Sequence, residues 1–226
     1  MVDCQEVGVE GNGAFASKLI CADCGGFYGQ KVWHSTDRYR RVVYQCNAKF
    51  KNEKKCSTPH LEEARIQEMF LKAYDQLMED REGVIADCEA MRAMLCDCKE
   101  LDMEIRDLDA AATGIAGRIQ ICISENAASA QDQEEYARGY DALVARYEET
   151  MKRRDAAMAK RAKLRERDEA LRLFIEAVRK QPLILQRWDE RVWNTLLESG
   201  TVCRNGSILF LFRNGAQIEV PAPSGR

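Results

Sequence analysis

Four cysteines mark the stretch KLICADCGGFYGQKVWHSTDRYRRVVYQC, residues 18–46, and the ten residues that follow it. Cys21 and Cys24 are separated by two residues, and Cys46 and Cys56 by nine. This spacing can place four thiolates around one metal ion, and the two glycines after the first pair suit the tight turn required there. A closed set of four sulfurs leaves no position for water, so we expect a structural Zn²⁺.

Other interpretations of the same residues remain open. The four cysteines can be buried free thiols, or can hold iron for electron transfer. His60 can replace Cys56 as a ligand, although the preceding proline is better explained as the first residue of a helix. Cys98 and Cys122 fit a helical core, and Cys96 with Cys98 would point apart on a helix.

Composition places the chain among soluble proteins. It has 226 residues, of which 46% are hydrophobic and 31% charged, enough for one or two domains. The first twenty residues contain acidic side chains and no apolar run, so we expect no signal peptide and no membrane span. We therefore expect a cytoplasmic protein, whose ten cysteines are free or metal-bound and do not form a disulfide framework.

Charge is unevenly distributed along the chain. Residues 18–55 contain nine basic and three acidic residues, residues 62–109 contain six and fifteen, and residues 136–180 contain thirteen and eight. The basic first segment favours contact with phosphate groups. The candidate DNA contacts are Lys31, Arg38, Arg40, Arg41, Lys49 and Lys51. A solvated basic surface without a ligand is the alternative.

The centre of the sequence predicts two long helices. A helix over residues 61–122 carries an apolar seam of heptad spacing. The seam residues are Met91, Met94, Cys98, Leu101, Ile105, Leu108, Ala112, Ile115, Ile119 and Cys122. A second helix begins after Asp132 and stops before Pro182. Because the first helix is acidic and the second basic, we expect an antiparallel coiled-coil hairpin.

The end of the sequence predicts a small β-meander. Two Asn-Gly pairs, at residues 205–206 and 214–215, separate three short runs typical of strands. A short amphipathic helix is expected before them, over residues 188–197. The predicted fold class is α+β, with a small zinc-ribbon and β head into which the long hairpin is inserted. The expected boundaries are a flexible terminus at 1–14, the head at 15–80 and 180–221, the hairpin at 81–179 and a tail at 222–226.

The motifs together resemble a known family. KLICADCGGFYG, YRRVVYQCNAKF, KKCSTPHLEE, the helical hairpin and the closing FLFRNGAQIEV are similar to the zinc ribbon and coiled-coil region of large serine recombinases, the integrases and transposases of phages and mobile elements. The resemblance extends from about residue 15 to residue 220. It implies that Cys21, Cys24, Cys46 and Cys56 bind structural zinc, and that the loop around residues 38–41 faces double-stranded DNA at an attachment site.

The same resemblance implies the role of the hairpin and the limits of the chain. In that family the coiled coil contacts other recombinase subunits and sets synapsis and direction. The family's catalytic domain with its serine nucleophile has no counterpart here, and the sequence has no catalytic constellation of its own. We therefore expect a non-catalytic fragment of bacterial, phage or mobile-element origin. The alternative is a zinc-stapled coiled-coil adaptor that binds proteins and has no specific affinity for DNA.

Overall fold

The computed structural model describes residues 13–15, 17–34, 36, 38–51, 55–129 and 132–222. Most of the expected flexible terminus and tail lies outside these residues. In chain order the elements are β1 (Leu19–Cys21), β2 (Tyr28–Trp33), β3 (Arg41–Cys46), β4 (Leu61–Glu62), α1 (Glu63–Glu79), α2 (Arg81–Leu95), α3 (Lys99–Ala128), α4 (Gln133–Lys180), α5 (Glu190–Leu196), β5 (Leu197–Val202), β6 (Ile208–Phe212) and β7 (Gln217–Val220). This architecture confirms the predicted α+β class with a long helical hairpin.

The chain forms two compact units. The first, called here the head, comprises Met1–Cys88 and Leu171–Arg226, and the second, the arm, comprises Glu89–Ala170. Across the described residues, every helix is too short or too polar to span a lipid bilayer.

Two sheets build the head. One has the strand order β2-β3-β4, and the other has the order β1-β5-β6-β7. The predicted meander is confirmed, because β6 is antiparallel to both β5 and β7. Gly206 and Gly215 take positive φ angles of 82° and 91° in its two turns, which a residue with a side chain rarely adopts. The parallel pairing of β1 with β5 was not predicted.

Aromatic side chains fill the centre of the head. The ring of Trp193 is fully buried, with the centroids of Phe15 and Phe70 each 5.0 Å away. Tyr44 packs 5.2 Å from Phe15, and Phe210 packs 6.1 Å from Phe70. Aromatic rings at these separations add stabilisation beyond the area that they bury. Residues from both sequence segments of the head therefore share one hydrophobic core.

The helices of the arm are antiparallel. Asp109 pairs with Arg154 at 2.6 Å, and Asp102 pairs with Arg161 at 2.8 Å. The earlier position on α3 is therefore paired with the later position on α4, as in antiparallel helices. This pattern matches the expected pairing of an acidic helix with a basic one. Among the predicted seam residues, the buried ones are Leu101, Ile105, Leu108, Ala112 and Ile115, while Ile119 and Cys122 are half-buried.

The predicted long helix over residues 61–122 is interrupted at two places, the first of which lies at the expected boundary between the head and the hairpin. The chain leaves the helical conformation at Asp80 and again at residues 96–98, where the Asp97 carboxylate accepts a hydrogen bond at 2.9 Å from the backbone amide of Lys99, the first residue of α3. Polar side chains that bond nearby backbone groups compete with helix continuity in this way. The buried seam accordingly begins at Leu101. Met94 is 80% exposed, and Met91 and Cys98 are only half-buried.

Ile105→Asp should unfold the arm while leaving the head intact. Ile105 is 6% exposed and belongs to a cluster with Leu101 and Ala157, so an unpaired carboxylate there should cost about 3 to 5 kcal/mol. Ile121→Asp is the matched control, because Ile121 is 58% exposed. Thermal melting followed by circular dichroism, together with zinc content, checks the prediction. Equal melting temperatures for the two variants would contradict it.

Candidate metal centre and nucleic-acid surface

The four predicted cysteines come together in the head. The sulfur atoms of Cys21, Cys24, Cys46 and Cys56 all lie within 4.8 Å of one another. The Cys24 and Cys46 sulfurs are 3.5 Å apart, and those of Cys46 and Cys56 are 3.9 Å apart. Any two sulfurs of a tetrahedral zinc site, each about 2.3 Å from the metal, are separated by about 3.8 Å. The sulfur cage therefore fits one zinc ion without a fifth ligand.

Short backbone turns position the first two ligands. Cys21 is the last residue of β1, and its carbonyl accepts a hydrogen bond from the Gly25 backbone at 2.9 Å. Gly25 has a φ of 70°, which explains the glycine at this position. The next amide, from Gly26, points at the Cys24 sulfur at 3.4 Å, a contact that stabilises a thiolate. The third ligand, Cys46, is the last residue of β3.

Burial and hydrogen bonding set the protonation of the thiols in the absence of a metal. Burial raises the pKa of the Cys46 thiol to about 12 and that of Cys56 to about 11. At Cys21, burial raises the pKa, but the Thr58 hydroxyl 3.1 Å away and nearby backbone amides outweigh it and lower the pKa to about 7. Cys46 and Cys56 would therefore stay protonated at neutral pH without a metal. A zinc ion supplies the positive charge that keeps all the ligands as thiolates.

His60 takes another role than that of a metal ligand. Its ring packs against Trp33, with 4.4 Å between centroids, and within the described ranges it belongs to no group of possible ligands. Cys56 is thus the fourth ligand in preference to His60. The remaining described cysteines, including Cys98 and Cys122, lie outside the cage and form no disulfide.

Asp23 is a neighbour of the cage that the sequence reasoning missed. Its carboxylate accepts hydrogen bonds from the Ser57 backbone at 2.6 Å, from the Ser57 hydroxyl at 2.9 Å and from Arg204 Nε at 2.6 Å. The hydrogen bond from Arg204 and those from Ser57 lower the pKa of Asp23 to about 2. The sequence does show an acidic residue inside the Cys-x-x-Cys motif. It gives no indication that the partner of this residue is Arg204, which lies 181 residues later.

The candidate DNA contacts fall into two groups. Lys31, Arg38, Arg40 and Lys51 are exposed. Arg38 lies over the ring of Tyr39, 4.8 Å from its centroid, and donates a hydrogen bond to the Tyr39 hydroxyl.

The other two candidates are held by neighbouring residues. Arg41 pairs with Glu62 at 3.0 Å and lies 5.5 Å from the Trp33 ring centroid. Lys49 donates a hydrogen bond to the Thr58 carbonyl at 2.8 Å, so its ammonium group ties the loop after Cys46 to the segment after Cys56. The sequence did not predict this structural contact.

Cys46→Ser should lower the zinc affinity strongly, because it removes a metal ligand. Loss of an outer-shell contact lowers metal affinity by roughly 10- to 100-fold, and loss of a ligand should have a larger effect. The wild-type chain should hold one zinc ion, measured by native mass spectrometry and by release to a chromogenic chelator. Cys98→Ser is the matched control and should keep the metal. Full zinc content in the Cys46→Ser variant would contradict the assigned ligands. Loss of zinc in the single variant His60→Ala would also contradict them.

Comparison with known proteins identifies the ribbon. Residues 14–75 match the family described as "Recombinase zinc beta ribbon domain". No curated protein is significantly similar to the chain. A chain in the solved structure "Crystal Structure of a LSR-DNA Complex" is similar with 10% identity and a TM-score of 0.34, over 86% of this chain and 54% of that one, so this chain spans about half of its length. The family match confirms the resemblance to recombinases in this part of the sequence.

Proposed function

We propose that this chain is the DNA-binding and subunit-interaction module of a serine site-specific recombinase and has no catalytic role of its own. The ribbon contacts double-stranded DNA at an attachment site, and the arm contacts other recombinase subunits during synapsis. The observation that carries the proposal is the match to the recombinase zinc ribbon family. In this region the four-cysteine cage anchors the β-hairpin of β2 and β3, which carries exposed basic side chains.

The β-hairpin formed by β2 and β3 has a charge and a shape that suit contact with a DNA duplex. The two strands pair in register from Tyr28 with Cys46 to Trp33 with Arg41, so the zinc ligand Cys46 fixes one end of the hairpin. Arg38 and Arg40 lie in the exposed loop at the other end. A loop of this kind can enter a groove and place guanidinium groups near phosphates or guanine edges.

The contacts of the basic residues suggest different roles. Arg38 is held against Tyr39, which reduces the side-chain entropy that it would lose on binding. The charge of Arg41 is partly neutralised by Glu62, so we assign it to positioning the hairpin more than to attracting phosphate. Lys49 serves the loop structure through its bond to Thr58, and Lys51 beside it stays available for a phosphate.

The arm supports the second half of the proposal. Its α3 helix has exposed apolar side chains, with Ile121 at 58%, Met103 at 50% and Ile123 at 39%. The three side chains do not form one contiguous patch, because residues two apart on a helix point in different directions, but each offers an apolar contact to another protein surface. Ile121 and Ile123 lie toward the end of α3, near the connection to α4, where a second subunit can reach them.

Arg40→Ala should weaken duplex binding and reduce the slope of log affinity against log salt by about 0.9, the value for one phosphate contact. Fluorescence anisotropy with a labelled duplex at several salt concentrations measures both quantities. Arg153→Ala, which removes an exposed arginine of the arm, should leave them unchanged. An unaltered slope for Arg40→Ala would exclude this residue from the DNA surface.

Selection of duplexes from a random pool tests the function directly. The zinc-loaded chain should enrich a sequence motif that a Cys21→Ser, Cys24→Ser double variant does not recover. If the zinc-loaded chain enriches no motif but associates through its arm, the adaptor function replaces the recombinase proposal.

A further inference from the structure

Asp23 joins three segments that are far apart in the sequence. It lies between the ligands Cys21 and Cys24, and one carboxylate oxygen accepts two hydrogen bonds from Ser57, the residue after the ligand Cys56. The other oxygen accepts from Arg204 Nε at 2.6 Å, across 181 residues of sequence. One side chain thus links the first ligand pair, the last ligand and the turn between β5 and β6.

The geometry of this contact differs from that of an ordinary surface ion pair. The Asp23 side chain is only 10% exposed, although Arg204 is 75% exposed. Exposed pairs contribute little because water competes for both partners. Here the carboxylate has three donors and little contact with water, and charge-assisted hydrogen bonds of this kind are among the stronger ones.

The turn that carries Arg204 is itself well ordered. The Cys203 amide bonds to the Ser207 carbonyl at 2.9 Å, and Asn205 accepts from the Ser207 amide at 3.0 Å and hydroxyl at 2.8 Å. A Cβ atom added to Gly206 would lie 3.7 Å from Pro59, so the turn also lies against the segment that follows Cys56. Arg204 is therefore presented to Asp23 from a defined backbone.

Backbone pairing supports the same connection. In the parallel ladder, Cys21 is the register partner of Val202, and the next amide, from Ala22, donates to the Val202 carbonyl at 3.1 Å. The first zinc ligand is thus at the end of a strand that is hydrogen-bonded to β5. A shift of β5 or of the turn after it would move Cys21 and Asp23 together.

We propose that Asp23 is a positioning residue of the zinc site, and that it couples metal binding to the docking of the β5–β6 turn through Arg204. Zinc orders residues 21–24 and 56–57, which places the Asp23 carboxylate to receive Arg204. The docked turn in return holds the ligands in the geometry that retains the metal. Coupling of this kind is reciprocal, because each event stabilises the arrangement that the other requires. The inference rests on zinc in the four-cysteine cage and is independent of DNA binding.

The test measures zinc release to a chromogenic chelator from the full chain. Asp23→Asn keeps the size of the side chain but removes its charge, and should release zinc about 10-fold faster, as expected for loss of an outer-shell partner. Arg204→Gln should also accelerate release. The double variant should release zinc no faster than Asp23→Asn alone, because both changes remove the same interaction.

A second ion pair provides matched controls. Asp109 and Arg154 in the arm have the same Nε to carboxylate distance of 2.6 Å, so Asp109→Asn and Arg154→Gln remove an ion pair of the same length, with a more exposed carboxylate, without touching the cage. Both should release zinc at the wild-type rate. The absorption bands of Co²⁺ bound in place of zinc provide a second readout, since they report ligand geometry. They should shift in Asp23→Asn and Arg204→Gln but remain unchanged in the controls.

The outcomes separate coupling from a purely local role. Wild-type release and an unchanged Co²⁺ spectrum in Arg204→Gln would overturn the coupling, even if Asp23→Asn is impaired. Release rates that multiply in the double variant would show that Arg204 acts elsewhere and would also overturn it. If Asp23→Asn does not retain zinc during purification, the comparison of Arg204→Gln with Arg154→Gln decides. Failure of DNA selection would leave this result unaffected, so the two proposals can fail separately.

Discussion

Four sulfur atoms within 4.8 Å of one another are the constraint on which the ribbon depends. Thiolates at this spacing repel one another, and burial favours the protonated form of Cys46 and Cys56. A divalent cation reverses both effects, so that metal binding contributes directly to the free energy of folding. The sheet β2-β3-β4 is too small to bury much apolar area, and the metal therefore supplies order that a larger core would otherwise provide.

The ribbon is nevertheless one part of a larger folded unit. Phe15 and Phe70 lie inside the region that matches the recombinase ribbon family, but Trp193, which both contact, lies well beyond it, as does Phe210, which contacts Phe70. The strand β1 likewise finds its partner in β5. Metal ligation and aromatic packing therefore both stabilise the head, and both hold the strands of the basic β2–β3 hairpin in place.

Features encoded by short spacings could be predicted from the sequence, and features that depend on distant partners could not. The cysteine set and the Asn-Gly turns are local, and the structure has both. The pairing of β1 with β5 and the contact of Asp23 with Arg204 were missed, because neither short segment indicates a partner so far away. The helix break at residues 96–98 was missed because the apolar spacing continues through it, although Asp97 interrupts the backbone pattern. The bond from Lys49 to Thr58 was missed for a further reason, since a lysine in a basic loop has no sequence feature that separates a structural role from a phosphate contact.

The insertion of the arm between the two halves of the head has a consequence for synthesis on the ribosome. β1 pairs with a strand whose residues emerge about 180 positions later, at Gly200 opposite Leu19. At roughly 5 to 20 residues per second, that delay is on the order of 10 to 35 s. During this interval the four cysteines can already be loaded with zinc, while Phe15 and Phe70 still lack their partner Trp193. Early metal capture would thus protect the nascent ribbon until its core partners leave the exit tunnel.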